Sequence, residues 1–182
     1  MKQRKLHKTI LILLLVLVPP YFLVLTDEGT RISDNVILWL FGKESAKLNL
    51  KEIDNGYSRD QILAVFPDLE WNCQAVESRF GDNLCTAEIG AFNDYPSHRL
   101  TVFFGGDWTN AVKVLYRARY HDQVLGHLIE QFGQPDNVAE AMSDSPDAAS
   151  VLEWKTGKGV VLLKKELSDR DEPALFWLAS IP

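Results

Sequence analysis

From Thr9 to Leu25 the chain reads TILILLLVLVPPYFLVL, seventeen residues without a charge. As helix, at about 1.5 Å per residue, this covers roughly 25 Å, enough to cross a bilayer with modest thinning. Pro19 and Pro20 break a helix in water, but in a bilayer a kink survives because the freed carbonyls find local partners. Lys2, Arg4, Lys5 and Lys8 precede the stretch, and the acids Asp27 and Glu28 follow it. That lysine and arginine bias places the N-terminus in the cytoplasm. The expected organisation is a cytoplasmic basic tail (1–8), a transmembrane signal anchor (9–25), a juxtamembrane amphipathic segment (26–54) and an exported domain (55–182). It describes a single-pass protein of a bacterial inner membrane whose C-terminal domain is periplasmic. The competing reading is a cleaved signal peptide with Ile10–Val18 as its apolar core. Val24 and Thr26 make a poor cleavage site, and no cysteine stands there for lipid attachment.

Hydrophobic residues make up 46% of the 182, which excludes disorder and sets one compact domain plus attachments. Removing the four N-terminal bases leaves 15 of the 19 against all 25 acids, so residues 27–182 carry a net charge of about −10. That balance argues against a nucleic-acid binder.

Within the exported part, Ser33-Asp34-Asn35 supplies capping groups ahead of VILWLF (Val36–Phe41) and Gly42 a stop, so a short apolar helix is expected there. It either rests in the bilayer interface through Trp39 or packs on the domain. Lys47–Ile53 alternates in part and reads as an edge strand. Ser58-Arg59-Asp60-Gln61 matches the capping box, so a helix starts there, buries Ile62, Leu63 and Phe66, and ends near Pro67.

Between Leu84 and Ala118 the period changes. CTAEIGAF, RLTVFF and NAVKVLYRA read as strands of an antiparallel meander, divided at Asn93–Ser97 and at Gly105-Gly106-Asp107. A second helix fits Tyr120–Phe132, with Val124, Leu125, Leu128, Ile129 and Phe132 on one face and Gly133 and Pro135 closing it. Gln134–Ser150 is polar and aperiodic and reads as a loop. VLEW, GVVLLKKEL and ALFWLAS then read as three more strands.

The expected fold class is therefore α+β: a transmembrane helix, then a tandem domain of two helix-plus-three-stranded antiparallel units (55–118 and 120–182). At a spacing of 62, Asp60-Gln61-Ile62-Leu63 matches Asp122-Gln123-Val124-Leu125, which suggests a duplication. The run Gly56-Tyr57-Ser58-Arg59-Asp60-Gln61-Ile62-Leu63, with Leu100-Thr101-Val102-Phe103-Phe104 downstream, resembles the SmpA/OmlA (BamE-like) envelope family. The tandem arrangement is similar to the β-lactamase-inhibitor-protein architecture. The resemblance implies a small α+β module that works by binding other proteins. Members of the SmpA/OmlA family are outer-membrane lipoproteins, whereas this chain has no lipidation cysteine, so a role in barrel assembly is not carried over.

Cys73 and Cys85, twelve apart in an exported domain, are expected to form a disulfide. Two cysteines without a CxxC or HxxxH spacing argue against a metal site. His121 and His127 lie about 240° apart around a helix and cannot converge on one ion; these two and His98 read as surface or capping residues. No GxSxG, GxGxxG, P-loop or HExxH is present, so neither an enzyme nor a cofactor is expected. The expected function is a membrane-anchored envelope protein–protein interaction module with a protein partner. The alternative is a small-ligand sensor or hydrolytic enzyme of the periplasm. One sheet face takes the helices and the other needs a cover or a partner. Alternation along the strands selects Phe103, Leu115, Trp154 and Trp177 as partner-binding, opposite presumed core positions Phe104, Val114, Val151 and Phe176.

Overall fold

The computed structural model describes residues 43–53, 57–139 and 150–180, together with Val16, Val18, Tyr21, Thr26, Gly29, Ile32 and Ser33. The chain divides into two units, 1–42 and 43–182. In the first, the Thr26 hydroxyl accepts the Gly29 N–H at 3.0 Å. The expected helix at Val36–Phe41 lies outside the described residues, as does most of the 9–25 stretch.

In the second unit the capping box forms as the sequence predicts. Ser58 accepts the Gln61 N–H at 3.3 Å and Gln61 returns the bond to the Ser58 N–H at 2.9 Å, starting helix α1 (Arg59–Ala64). Six strands follow or precede it: β1 (Ser45–Ala46), β2 (Asn72–Ser78), β3 (Gly81–Glu88), β4 (Ala91–Phe92), β5 (Tyr95–Gly105) and β6 (Trp108–Tyr116). A 3₁₀ turn at Ala118–Tyr120 leads into helix α2 (His121–Phe132), and then come β7 (Asn137–Ala139), β8 (Val151–Lys155), β9 (Gly159–Lys164) and β10 (Ala174–Ala179).

The expected fold class is corrected in two respects. The strands do not form two three-stranded sheets: among the described residues they make one mixed ten-stranded sheet. Its main order is β2-β3-β5-β6-β10-β9-β8-β7, antiparallel throughout, with β4 continuing β3 along β5 and β1 adding to β4 in parallel. The halves meet where β6 pairs with β10, Val112 opposite Trp177 and Val114 opposite Leu175. Each half is thus one helix followed by a four-stranded meander, and the last strand of each pairs with the last of the other. Physically, this removes two sheet edges that separate units would leave open. Second, no helix among the described residues is long and apolar enough to cross a membrane, so the transmembrane helix of the expected fold is not supported.

One face of the sheet takes both helices. Leu100, Val102 and Phe104 of β5, Val112 and Val114 of β6, Leu175 and Trp177 of β10, and Val161 and Leu163 of β9 are buried there with Ile62 and Phe66 of α1 and Val124 and Leu128 of α2. Leu50 and Ile53 join this core, so Lys47–Ile53 packs on the helix-covered side and is not the edge strand expected; the preceding Ser45–Ala46 pairs instead. Residues 43–53 are held by the two-residue turn between β4 and β5. Asn93 and Asp94 both have positive φ, 46° and 69°, as a tight right-twisted hairpin requires. In that pose Asn93 reaches back to Leu48.

Candidate functional site

The opposite, outer face carries three rows of side chains read directly from strand register. One runs Leu84, Phe103, Ala111, Leu178, Val160 from β3 to β9; the next runs Thr86, Thr101, Lys113, Phe176, Leu162, Glu153 from β3 to β8; the third runs Glu88, Arg99, Leu115, Ala174 from β3 to β10. Within the 43–182 unit, α1 and α2 both pack on the other face. What closes part of the rows is the β2–β3 turn, Ser78-Arg79-Phe80-Gly81.

That turn is fixed tightly. The Phe80 N–H donates to the Ser78 hydroxyl, which donates to the Gly81 carbonyl. Gly81 lies so close to β5 that a Cβ there would stand 2.0 Å from the Phe104 carbonyl oxygen, and its φ of +147° excludes most side chains. Only glycine lets the hairpin fold over, and the fold carries Phe80 onto the outer face. Its ring centre lies 5.1 Å from Phe103 and 5.9 Å from Phe176. The Arg79 guanidinium lies over the Phe80 ring, 4.7 Å from its centre.

Beside this aromatic cluster lies a half-open groove of about 410 Å³. Its lining is Phe80, Val151, Leu162, Ala174, Phe176 and Leu178, with Arg79, Lys164 and Glu172 at its margin. Lys164 pairs with Asp171, and Glu172 with Lys113 at 2.6 Å. The Lys164 ammonium holds the Asp171 carboxyl down to about 2, so that ion pair is formed throughout the neutral range.

The residues selected from the sequence do not share a face. Phe103 and Leu115 are on the outer face, Phe103 beneath Phe80 and Leu115 only partly buried. Trp154 and Trp177, each 1% exposed, are in the helix-covered core. Trp154 donates its indole N–H to the Gly133 carbonyl at 3.0 Å, tying β8 to the end of α2. Strand parity was therefore assigned correctly in β5 and β6 and inverted in β8 and β10, where Val151 and Phe176 face outward. Each strand's alternation fixes two faces but not which of them meets the helices.

Cys73 and Cys85 form a disulfide between directly paired residues of β2 and β3. It anchors β2, every residue of which is exposed, to the sheet.

The histidines do not converge. Near the second unit's other end, His121 is buried and lies between Tyr116 and Lys165. A carbonyl only accepts, so His121 Nε2 donates to the Lys165 oxygen at 3.2 Å and Nδ1 accepts from the Tyr116 hydroxyl at 2.7 Å. Burial pushes the Tyr116 hydroxyl well above the usual tyrosine range. His127 packs against Tyr95, ring centres 5.5 Å apart, and His98 is exposed on β5. Among the described residues no group of three or more His, Cys, Asp or Glu is placed to hold a metal ion.

No family model matches the chain, and no curated protein matches it. Among solved structures it is similar to a DUF4309 family protein, YjgB, from Bacillus subtilis subsp. subtilis strain 168. The TM-score is 0.36 and the identity 14%, over 70% of this chain and 82% of that one. Likeness at that level assigns neither a fold family nor a function.

Proposed function

We propose that the chain is an envelope protein–protein interaction module, held at a membrane by its apolar N-terminal stretch, with the 43–182 unit exported and its outer sheet face turned to a protein partner. The observation that carries the reading is that face itself. An apolar sheet face in water is covered by its own chain or by something else, and contiguous apolar surface of several hundred Å² marks contact sites. Here Leu84, Leu115, Leu162, Phe176 and Leu178 are only partly buried, on the side of the sheet away from α1 and α2. Membrane attachment and export rest on the uncharged 9–25 stretch and the four bases before it, and the disulfide is the kind of bond an oxidising compartment maintains. A hydrolytic role finds little support at His121, since both of its ring nitrogens are already occupied.

The test places a photo-crosslinking amino acid at Leu84 or Leu115 of the full chain in its native membrane, with Asp122 on α2 as the control position. The reading expects one discrete protein adduct from both outer-face positions and none from Asp122. Adducts from Asp122 alone would move the contact to the helix side.

A further inference from the structure

We propose that the outer-face groove is a binding site for a single-chain aliphatic carboxylate, a free fatty acid, with its chain along β9 and β10 and its carboxylate on Arg79. This goes beyond the protein-partner reading and does not rest on it. Three observations carry it. The first is the lining: Val151, Leu162, Ala174, Phe176, Leu178 and the Phe80 ring offer only carbon to an occupant, in a volume of about 410 Å³, within the range of small-molecule sites.

The second is the backbone beneath. The groove floor is the interior of the sheet, where β9 is laddered to both β8 and β10, and β10 to both β9 and β6. The ladder consumes the N–H and C=O groups of these strands. A peptide lying in the groove would bury amides against a surface with nothing to bond them, at a cost of a few kcal/mol per group. An alkyl chain has no such groups, so the groove floor takes an alkyl chain at lower cost than the main chain of an extended peptide.

The third is charge. Of the charged side chains that line the groove, Lys164 pairs with Asp171 and Glu172 with Lys113. Arg79 is left without a carboxylate partner among the described residues, its guanidinium over the Phe80 ring at the groove margin. The Phe80 ring fixes where the guanidinium sits, and the N–H fork of such a group matches a bidentate acceptor, which a carboxylate supplies. A cation so placed at the margin of an apolar trough is complementary to an anionic group on an apolar chain. It disfavours a cationic amphiphile and gives no advantage to a neutral one.

The experiment labels the full chain, in membranes, with a decanoic acid carrying a photoreactive diazirine near its methyl end. The same diazirine chain ending in an alcohol or a trimethylammonium group is run beside it, and adducts are mapped by mass spectrometry. Expected are adducts at Leu162, Phe176 or Leu178, about tenfold stronger for the carboxylate than for the alcohol, weakest for the cation, and competed by unlabelled decanoate. Arg79→Gln should abolish the carboxylate preference and Arg79→Lys retain part of it. Ala174→Phe, which fills the groove without touching Arg79, should abolish groove labelling with all three chains. Equal labelling by carboxylate and alcohol, preference unchanged in Arg79→Gln, or adducts confined to residues 9–25 would overturn the proposal. Crosslinking of a protein at Leu84 and Leu115 stands or falls separately from any of these results.

Discussion

The side-chain amide of Asn93 takes both backbone groups of Leu48, Oδ1 accepting its N–H and Nδ2 donating to its C=O, each at 2.9 Å. One side chain thus imitates the next rung of a strand ladder and extends the two-residue β1–β4 pairing into residues that carry the core contacts Leu50 and Ile53. Asn93→Gly keeps the left-handed backbone accessible and removes only the clasp. Chemical denaturation should then show a loss of about 1–3 kcal/mol, the cost of orphaned backbone groups. An unchanged midpoint would mean that the segment is held by its apolar contacts alone.

Reduction of Cys73–Cys85 frees an edge strand whose seven residues are all exposed and which has little packing of its own. By the chain-entropy model, closure of a loop this size contributes roughly 3 kcal/mol. The Cys73→Ser, Cys85→Ser variant should lose about that much, and mass spectrometry of protein alkylated without reduction should find no labelled thiol. Two alkylated cysteines in protein recovered under oxidising conditions would contradict the pairing.

The two sequence-selected tryptophans and Leu115 should behave oppositely. Trp154 and Trp177 fill the core, and Gly159 has no side chain because a Cβ there would stand 2.7 Å from the Trp177 ring. Trp154→Ala and Trp177→Ala should each cost roughly 3–5 kcal/mol in urea melts. Leu115→Ala, on the outer face, should cost far less. Tryptophan variants that melt like the parent would return these residues to the surface.

What was legible in the sequence was local. The capping box at Ser58 and Gln61, the stop at Gly133 and the apolar alternation of β5, β6, β8, β9 and β10 are signals carried within a few residues, and each marks an element that the structure contains. Three things were not local. β2 reads NCQAVES, polar and fully exposed, and is a strand through its ladder and disulfide to β3; β7 likewise sits in a polar stretch read as a loop. The β6–β10 pairing that merges the two halves leaves no mark in either strand, because alternation assigns faces and not neighbours. In β10, ALFWLAS is apolar on both faces, so parity pointed Trp177 outward. Arg79 and Phe80 were missed for a related reason: nothing in Ser78-Arg79-Phe80-Gly81 except an aromatic before a glycine hints that the turn folds over the sheet.

Tyr116 gives the domain an alkaline limit. Burial raises its hydroxyl above the ordinary value near 10, so the folded state holds that proton more tightly than the unfolded chain does. Its contribution is complete below about pH 10 and is lost as pH rises past that value. Tyr116→Phe should flatten the fall in stability measured by denaturation above about pH 10, and should lower stability at neutral pH by about 1 kcal/mol through the lost bond to His121. An unaltered alkaline slope in the variant would assign the effect to another group.

The central claim is that the face opposite the helices is the contact face. Carbene footprinting of the full chain, in its native membrane and after purification, measures this directly, because the reagent marks apolar and polar side chains alike. The account predicts that Leu84, Leu115 and Phe176 are protected in the membrane and become labelled on purification, while Asp122 and Val65 on the helix side are labelled equally in both. Protection confined to the helix side, with the outer face equally labelled in both preparations, would contradict it.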